Sequence, residues 1–204
     1  MSSSKARTLQ VIYHSRTGLA AQMSAAIASG ARGATLISSG ESRSSIPLHV
    51  QRLRCERVSS QMLCAAAGFV FCAPENLASL SGEMKSFFDR TYYDMMPDED
   101  EVHQDVVLQQ LEGEPLLARK PYGAAIAAGS DGSTAARQIA RIAQGWRLSK
   151  VMPEDAVIIR NQLAQTKRNI LLSPKPLLTT ADRVACEDLG ALVASRILLT
   201  EEVD

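Results

Sequence analysis

The chain is poor in aromatic residues, carries no net charge and has no long apolar run. Aromatic residues occupy 4% of its 204 positions, and one of them is tryptophan. Lys and Arg number 22, as do Asp and Glu, and this balance gives no support to binding of nucleic acid or of a membrane surface. The amino terminus lacks the apolar segment of a signal peptide, and no run reaches the roughly 18 apolar residues of a membrane span. We therefore expect a cytoplasmic protein with neither nucleic acid nor membrane as a partner.

The four cysteines show no metal-binding spacing. They are Cys55, Cys64, Cys72 and Cys186, with no C-x-x-C pair and no histidine cluster, so a metal site is not expected. Cys64 and Cys72 stand in apolar surroundings, which favours buried thiols. A chain of this length can bury a full core without disulfides, and we expect its cysteines to be reduced.

The length and the distribution of charge suggest how the chain is organised. Residues 1–60 carry eight basic and two acidic side chains, whereas residues 83–115 carry ten acidic and two basic ones. A positive face near the amino terminus would attract an anion, although such asymmetry is also ordinary surface variation. We expect one domain over 1–204, with an acidic insertion at about 94–118 and an irregular segment at about 161–178.

Short apolar runs that alternate with amphipathic stretches predict an α/β fold. The predicted strands cover residues 8–13, 34–38, 68–73, 122–128 and 156–160. The predicted helices cover 18–30, a stretch from the loop at 39–47 to about 66, 83–94, 102–112, a stretch after 133 and a last helix after 179. A run that is apolar throughout is typical of a parallel strand buried on both faces. We expect a parallel sheet with helices on both faces, joined by right-handed crossovers.

Individual residues mark the predicted ends of several elements. Gly30 and Gly33 are expected to end the first helix, and Pro74 is expected to end the third strand. Thr179 and Asp182 have the spacing of a capping box at the start of the last helix. The inward face of that helix is predicted to hold Ala185, Leu189, Leu192 and Val193.

The first strand runs directly into a small turn that bears hydroxyl groups. Ser15, Thr17 and Gly18 precede a helix, and a turn of this kind brings backbone N–H groups and hydroxyls to the positive end of that helix. Such a turn is a phosphate-binding site. The alternative is an ordinary connection in which Ser15 or Thr17 caps the helix, and this stretch alone does not decide between the two.

Two further loops are small and polar, and they follow the third and fourth predicted strands. These loops, 74–82 and 129–133, leave the sheet at the same edge as the first turn. Ligands of open α/β sheets bind at that edge, where the strand order reverses. The three loops together suit a ligand with a phosphate at one end and a flat polar ring at the other.

The motifs on these loops resemble those of the flavodoxin-like superfamily, in particular flavodoxin-family and multimeric WrbA-like FMN proteins related to NAD(P)H-dependent FMN and quinone reductases. Residues 13–18 (YHSRTG) are similar to the family's Ser/Thr-x-Thr-Gly-x-Thr phosphate loop. Residues 73–82 (APENLASLSG) and 84–90 (MKSFFDR) resemble its Thr-Pro-Glu-Asn-Phe-Gly-x-Met-Ser-Gly stretch and the Lys-x-Phe-Phe-Asp-Arg helix that follows. Residues 120–123 (KPYG), with the 129–132 loop (GSDG), complete the likeness.

This resemblance implies a flavodoxin-like, doubly wound, five-stranded parallel sheet of order 2-1-3-4-5 and a bound FMN. The residues expected around the FMN phosphate are Ser15, Arg16, Thr17, Gly18, Leu19 and Ala20. Those expected along the isoalloxazine ring and ribityl chain are Pro74, Glu75, Asn76, Leu77, Ala78, Ser79 and Leu80. Donors near the pyrimidine end of the ring are expected from Gly129, Ser130, Asp131, Gly132 and Ser133. No side chain is expected to act as an acid or a base, because hydride reaches and leaves the flavin itself.

The chain departs from the family pattern at two places. Ala20 stands where the phosphate loop often has threonine, a loss of about 0.5 to 1.5 kcal/mol if a typical hydrogen bond is missing. Leu77 and Ala78 replace the family's Phe-Gly, which removes an aromatic contact worth on the order of 1 kcal/mol.

Three functions remain open at this point. The resemblance implies first an FMN-dependent oxidoreductase that passes hydride from NAD(P)H, as co-substrate, to a quinone-like or other small acceptor. The alternatives are a one-electron carrier like flavodoxin and a non-enzymatic protein with a weakened FMN site. No G-x-G-x-x-G segment indicates a nicotinamide preference. The resemblance also implies a homodimer or homotetramer.

Overall fold

Seven β-strands form one sheet in the computed structural model, which describes residues 7–34, 48–96, 115–160 and 178–199. The strands are β1 (Arg7–Tyr13), β2 (Leu48–Arg54), β3 (Gly68–Asn76), β4 (Ser79–Leu80), β5 (Pro121–Ala128), β6 (Ser149–Lys150) and β7 (Val157–Arg160). The α-helices are α1 (Leu19–Gly33), α2 (Ser60–Ala65), α3 (Gly82–Thr91), α4 (Ser133–Gly145) and α5 (Thr180–Leu199). Short 3₁₀ helices cover Cys55–Arg57 and Tyr93–Met95.

The strands have the predicted flavodoxin-like order, with two additions. The main path is β2-β1-β3-β5-β6, and all of its pairings are parallel. Strand β7 also pairs with β5, so β6 and β7 are two segments of the fifth strand. Lys150 lies at the break, where its Nζ donates to the Pro153 carbonyl and to the Asp155 carboxylate. The small strand β4 folds back antiparallel onto the end of β3.

The prediction of a helix from the 39–47 loop to residue 66 is wrong over 48–54. These residues form β2, which pairs with β1 alone among the described strands and stands at the end of their order. Its exposed side chains include His49, Arg52 and Arg54, while Val50 is buried. Because several side chains of such a strand are exposed and polar, its sequence has no continuous apolar run from which a strand could be predicted. The strand predicted at 34–38 lies outside the described residues except for Ala34.

Two hydrophobic cores cover the two faces of the sheet, because alternate side chains of each strand point to opposite faces. Phe69 and Phe71 of β3 pack on the face covered by α3 and α4, whereas Val70 and Cys72 pack on the face covered by α1 and α5. The first core holds all four phenylalanines and the tryptophan of the chain. The few aromatic residues are thus concentrated on one side of the sheet.

Helices α1 and α5 approach each other closely through two glycines. A Cβ at Gly30 would lie 1.9 Å from the Glu187 carbonyl oxygen, and one at Gly190 would lie 1.9 Å from the Ile27 carbonyl oxygen. The predicted end of the first helix around Gly30 and Gly33 is confirmed, since α1 ends at Gly33 and Gly30 lies inside its last turn. Gly30 also serves the contact between the two helices.

The last helix begins as predicted. The Asp182 N–H donates to Thr179 Oγ1 at 3.1 Å, and the Thr179 N–H donates to Asp182 Oδ2 at 3.2 Å, which completes a capping box. Leu189 and Val193 are buried as predicted. The prediction for Leu192 is wrong, since 45% of its surface is exposed.

Some expectations fall on other parts of the chain. Most of the acidic insertion at 94–118, the helix at 102–112 and the irregular segment at 161–178 lie outside the described residues. The prediction that Cys64 is buried is wrong, because its side chain is exposed near the end of α2. No helix among the described residues is long and apolar enough to cross a membrane.

Candidate functional site

Three loops meet where the parallel strands end, at the predicted edge of the sheet. The first loop joins β1 to α1, the second joins β3 to α3, and the third joins β5 to α4. Hydrogen bonds link the first loop to the second and the second to the third. The structure therefore brings the three predicted groups of site residues together at this edge.

The first loop leaves the start of α1 without a side-chain cap. The backbone of Gly18, the N-cap residue, is left-handed (φ 99°), and in the described part of the chain the cap makes no side-chain hydrogen bond to the helix. The Ser15 hydroxyl accepts instead from the Gly18 N–H at 3.2 Å, so it closes the loop before the helix begins. The first turn also lacks an acidic residue. Of the two interpretations of this turn, the geometry favours an anion site over a capped helix.

Two of the residues predicted around the phosphate point their side chains into the protein. Leu19 and Ala20 are each 2% exposed and belong to the core formed with α5. Their backbone N–H groups, rather than their side chains, lie at the helix start. Arg16 in the same loop is exposed. Because the Ala20 methyl is buried, the contacts offered to an anion come from residues 15–18 and the helix backbone.

His14 connects the first loop to the second. It is 4% exposed, its Nδ1 lies 3.0 Å from Ser81 Oγ, and its Nε2 lies 3.5 Å from a carboxylate oxygen of Glu83. Its backbone N–H continues the ladder by donating to the Cys72 carbonyl. Both ring nitrogens thus face partners, and His14 is a satisfied structural residue.

The second loop is a tight β-hairpin rather than an irregular loop. Strand β3 does not end at Pro74 as predicted but continues to Asn76, and it then turns back at Leu77 and Ala78 into β4. Leu77 and Ala78 have positive φ angles of 52° and 56°. Two such residues define a type I′ turn, which favours Asn-Gly. The turn is therefore strained, as backbone at functional sites often is.

The Leu77 side chain projects from this turn into solvent. It is 101% exposed, the largest value among the exposed large hydrophobic side chains of the described residues. Ala78 beside it is also exposed. The hairpin therefore presents an apolar side chain, at the position where the family pattern has phenylalanine, on a rigid turn.

The third loop is held by carboxylates. Glu75 Oε1 accepts from the Gly132 N–H and Glu75 Oε2 accepts from the Ser130 hydroxyl, both at 3.0 Å. Asp131 accepts from the N–H and the hydroxyl of Ser133. These bonds from Ser133 lower the pKa of Asp131, with smaller contributions from nearby arginines. The N–H groups of Gly132 and Ser133 are thus already bonded within the protein.

Three residues that support the site were missed in the sequence. Gln138 of α4 accepts from the Leu80 N–H at 2.7 Å and bonds with the Ser79 hydroxyl, so it fixes β4. Arg160, at the end of β7, donates to the carbonyls of Ser130 and Asp131. Arg52 of β2 lies 4.5 Å above the Tyr13 ring and donates to Ser24 and Ala21 of α1. All three act over long sequence separations and carry no local motif.

The fold, and the three loops at one sheet edge, define a flavodoxin-like α/β protein. The model of a family described as NADPH-dependent FMN reductase matches residues 49–164, which is more than half of the chain. The protein belongs to this family, and the predicted resemblance is confirmed. The matched range includes the second and third loops but not the first.

Solved structures show the same fold at low sequence identity. A flavodoxin from the domain Archaea is 17% identical with a TM-score of 0.61, over 94% of this chain and 99% of that one. A WrbA-like flavodoxin from Agrobacterium tumefaciens is 14% identical with a TM-score of 0.61, over 95% and 98%. The Flv1 flavodiiron core from Synechocystis is 14% identical with a TM-score of 0.61, over 97% of this chain but 37% of that one. No curated protein matches the sequence.

Proposed function

We propose that the protein binds FMN at the three loops and acts in the cytoplasm as a reductase that passes hydride from NAD(P)H to a quinone-like or other small acceptor. Membership of the NADPH-dependent FMN reductase family supports this proposal. The observation that carries it is the start of α1, which has neither a side-chain cap nor an acidic residue in its first turn. An open helix start of this kind suits the phosphate of FMN.

The chain's own residues would bind and orient the cofactor. Ser15, Thr17 and the N–H groups at the start of α1 would hold the phosphate, and Arg16 would add a positive charge. The hairpin would present Leu77 to the ring, and the third loop would line the opposite side through Gly129 and Ser130. When FMN is bound, it supplies the hydride transfer itself.

The hydrogen bonds that the third loop forms within the protein determine how it could contact FMN. Because Glu75 and Asp131 already accept from Gly132 and Ser133, the loop would act as a preorganised wall. A loop that is already ordered before the ligand binds loses less conformational entropy on binding. We expect its rigidity, more than the number of its free donors, to position the ring.

We also propose that the protein forms a homodimer or homotetramer. Leu77 at the site is fully exposed, and Tyr93 and Leu116 are 79% and 59% exposed. The Leu116 N–H donates to the carbonyl of Met95, which ends the 3₁₀ helix that begins at Tyr93, so these two side chains share one region of the surface. Size-exclusion chromatography with light scattering tests this part, and a monomer at micromolar concentration would contradict it.

Titration of the purified protein with FMN and with riboflavin tests the cofactor. We expect FMN fluorescence to be quenched on binding and riboflavin to bind more weakly, because riboflavin lacks the phosphate. A protein that binds neither would contradict both flavin functions and favour the non-enzymatic alternative. Equal affinity for both would contradict the role of the first loop.

Anaerobic mixing with NADPH or NADH then tests the reaction. We expect the bound flavin to bleach and nicotinamide oxidation to continue when benzoquinone is added. A flavin that binds firmly but is not reduced by either nucleotide would favour the one-electron carrier. The FMN titration and the anaerobic mixing experiment thus separate failure of the cofactor site from failure of the reaction.

A further inference from the structure

A second, strongly cationic groove runs beside α4, away from the three loops. It has a volume of about 610 Å³, and its cationic lining residues are Arg137, Arg141, Arg147 and Lys150. Tyr122 also lines the groove and pairs with Lys150 at the amino end of β5, whereas the candidate FMN site lies beyond the carboxyl end of that strand. The groove is therefore a different surface from the proposed flavin site.

The groove has a large excess of positive charge. Among the described residues that line it, the one carboxylate is that of Asp155, which already pairs with Lys150 at 3.1 Å. Arg137 and Arg141 form no ion pair within 4 Å with any residue that the structure describes, and Arg137 attracts the Asp131 carboxylate over a longer distance. The sequence between Asp131 and Glu154 holds no carboxylate side chain at all. In a chain whose net charge is zero, this concentration of cationic side chains is local.

Helix stability does not account for these arginines. Cations stabilise a helix at its carboxyl end, where Arg147 and Lys150 follow α4. Arg137 lies near the amino end of α4, where a cation has no such benefit. Arg141 is four residues further on, so the two like charges occupy neighbouring positions on one helix face and repel each other. An anion bound between them would remove this repulsion.

Arg147 occupies a backbone position that normally belongs to glycine. Its φ angle is 50°, directly after α4. The Leu148 N–H donates to the Ala143 carbonyl and the Arg147 N–H donates to the Gln144 carbonyl, which is the Schellman motif of a helix end. Glycine would adopt this conformation without strain, so the structure keeps an arginine there at a cost to stability.

The groove also offers neutral groups of the kind that phosphate ligands use. Gln144 and the hydroxyl-bearing Tyr122 line it together with the cations, and Ala140 and Leu148 provide a small apolar surface. Burial raises the pKa of Tyr122, and Asp155 adds to this effect, so the hydroxyl keeps its proton and remains a donor. Arginine side chains bind phosphate oxygens in pairs of parallel hydrogen bonds.

We propose that this groove binds a small ligand with two or more linked phosphate groups, such as the diphosphate of a nucleotide. The residues that would hold it are Arg137 and Arg141, with Arg147 and Lys150 at the far end. Arg137 and Arg141 lie about 6 Å apart along the helix axis, and the remaining cations extend the row beyond them. An elongated anion meets more of these charges than a single phosphate does.

Calorimetric titration at fixed ionic strength tests this proposal. The probes are inorganic pyrophosphate, ADP and inorganic phosphate. We expect pyrophosphate to bind at least ten-fold more tightly than phosphate, and the double variant Arg137→Gln/Arg141→Gln to bind pyrophosphate at least ten-fold more weakly than the natural chain. The matched control is Arg183→Gln, an exposed arginine on α5 outside the groove, which should bind like the natural chain.

A further variant and a comparison of ADP with pyrophosphate complete the test. Lys150→Gln gives a second weakened variant if the double variant does not fold, and its FMN affinity should be unchanged. ADP that binds more tightly than pyrophosphate would identify a nucleotide, whereas equal affinity would identify the diphosphate alone. The proposal is overturned if pyrophosphate and phosphate bind equally, if Arg183→Gln weakens binding as much as the groove variants, or if a single-stranded oligonucleotide binds while pyrophosphate does not.

Discussion

The Glu75 carboxylate accepts a 3.0 Å hydrogen bond from the backbone N–H of Gly132, and so ties the second loop of the candidate site to the third. Its other oxygen accepts from the Ser130 hydroxyl. The family resemblance predicted Glu75 beside the isoalloxazine ring and ribityl chain and gave no indication of these two bonds. Glu75 is a clamp that fixes the shape of the third loop.

Replacing Glu75 by glutamine should loosen this clamp. The amide has one acceptor oxygen and cannot serve both donors, so we expect the free energy of unfolding to fall by about 1 to 3 kcal/mol. FMN affinity should fall with it. Urea denaturation and FMN titration measure the two effects. Glu154→Gln, at an exposed carboxylate, is the control, and an equal loss in both variants would contradict the clamp.

Replacing Arg16 by glutamine should weaken the binding of FMN but leave riboflavin unaffected. Arg16 is exposed in the first loop beside the open start of α1. We expect a loss of about 0.3 to 1 kcal/mol in FMN binding, typical of a charge near a helix terminus, and a weaker dependence of binding on salt. A variant that loses affinity for both flavins equally would show that Arg16 acts on the loop and not on the phosphate.

Replacing Ala78 by glycine should stabilise the protein. Ala78 has a φ of 56° in the hairpin turn, and glycine adopts this conformation without the steric cost that alanine bears. After the entropy cost of the added glycine, we expect a gain of about 0.5 to 1 kcal/mol, or a rise in Tm of about 2 °C. Ala25→Gly, at an exposed position inside α1, should instead lose about 1 kcal/mol.

The glycines of α1 should respond in opposite ways to alanine. At Gly30 the new Cβ would lie 1.9 Å from the Glu187 carbonyl oxygen, whereas at Gly33 no atom of the described residues lies within 4 Å of it. We expect Gly30→Ala to cost about 3 kcal/mol through overpacking and Gly33→Ala to gain about 0.5 kcal/mol. Thermal unfolding compares the two, and similar Tm values would mean that α1 and α5 pack less closely.

Stability should fall as the pH rises above about 9. Burial raises the pKa of Cys55 and of Cys186 to about 12, from 9.0 in the exposed thiol, and it raises the pKa of Cys72 as well. The folded protein therefore holds thiol protons that the unfolded chain releases above pH 9. Their stabilising effect is complete below that pH and is lost as the pH approaches 12.

Denaturation in urea from pH 7 to 10.5 measures this loss. Cys186→Ala should reduce the slope of stability against pH, while Cys64→Ser, at the exposed cysteine, should leave it unchanged. A slope that does not respond to Cys186→Ala would assign the pH dependence to other groups.

The fold was predictable where burial leaves a local signal. The run from Gly68 to Ala73 is apolar throughout because β3 has a neighbour on each edge and a helical layer on each face, and the capping box at Thr179 is a local pattern. Strand β2 gave no such signal, because several of its side chains are exposed and interrupt any apolar run. The hairpin at Leu77 was also missed, since a type I′ turn normally contains glycine or asparagine.

The candidate site was likewise predictable only in part. Its loops were found because small and hydroxyl-bearing residues follow apolar strands. The hydrogen bonds of Glu75 and Gln138 that hold the loops were not predicted, since Glu75 lies 57 residues from Gly132 and Gln138 lies 58 residues from Leu80. Contacts over such distances depend on which strands become neighbours in the sheet.

The order of apolar strands, polar loops and amphipathic helices was set by the sequence alone, because burial and capping act on residues that are close in the chain. The tertiary structure decided which polar groups remain available to a ligand. It left the start of α1 without a cap, bonded the third loop to Glu75 and Asp131, and placed Arg137 and Arg141 in one groove with Lys150. Hydrogen bonds and charges are satisfied in three dimensions, so their balance at a site emerges only when the sheet is assembled.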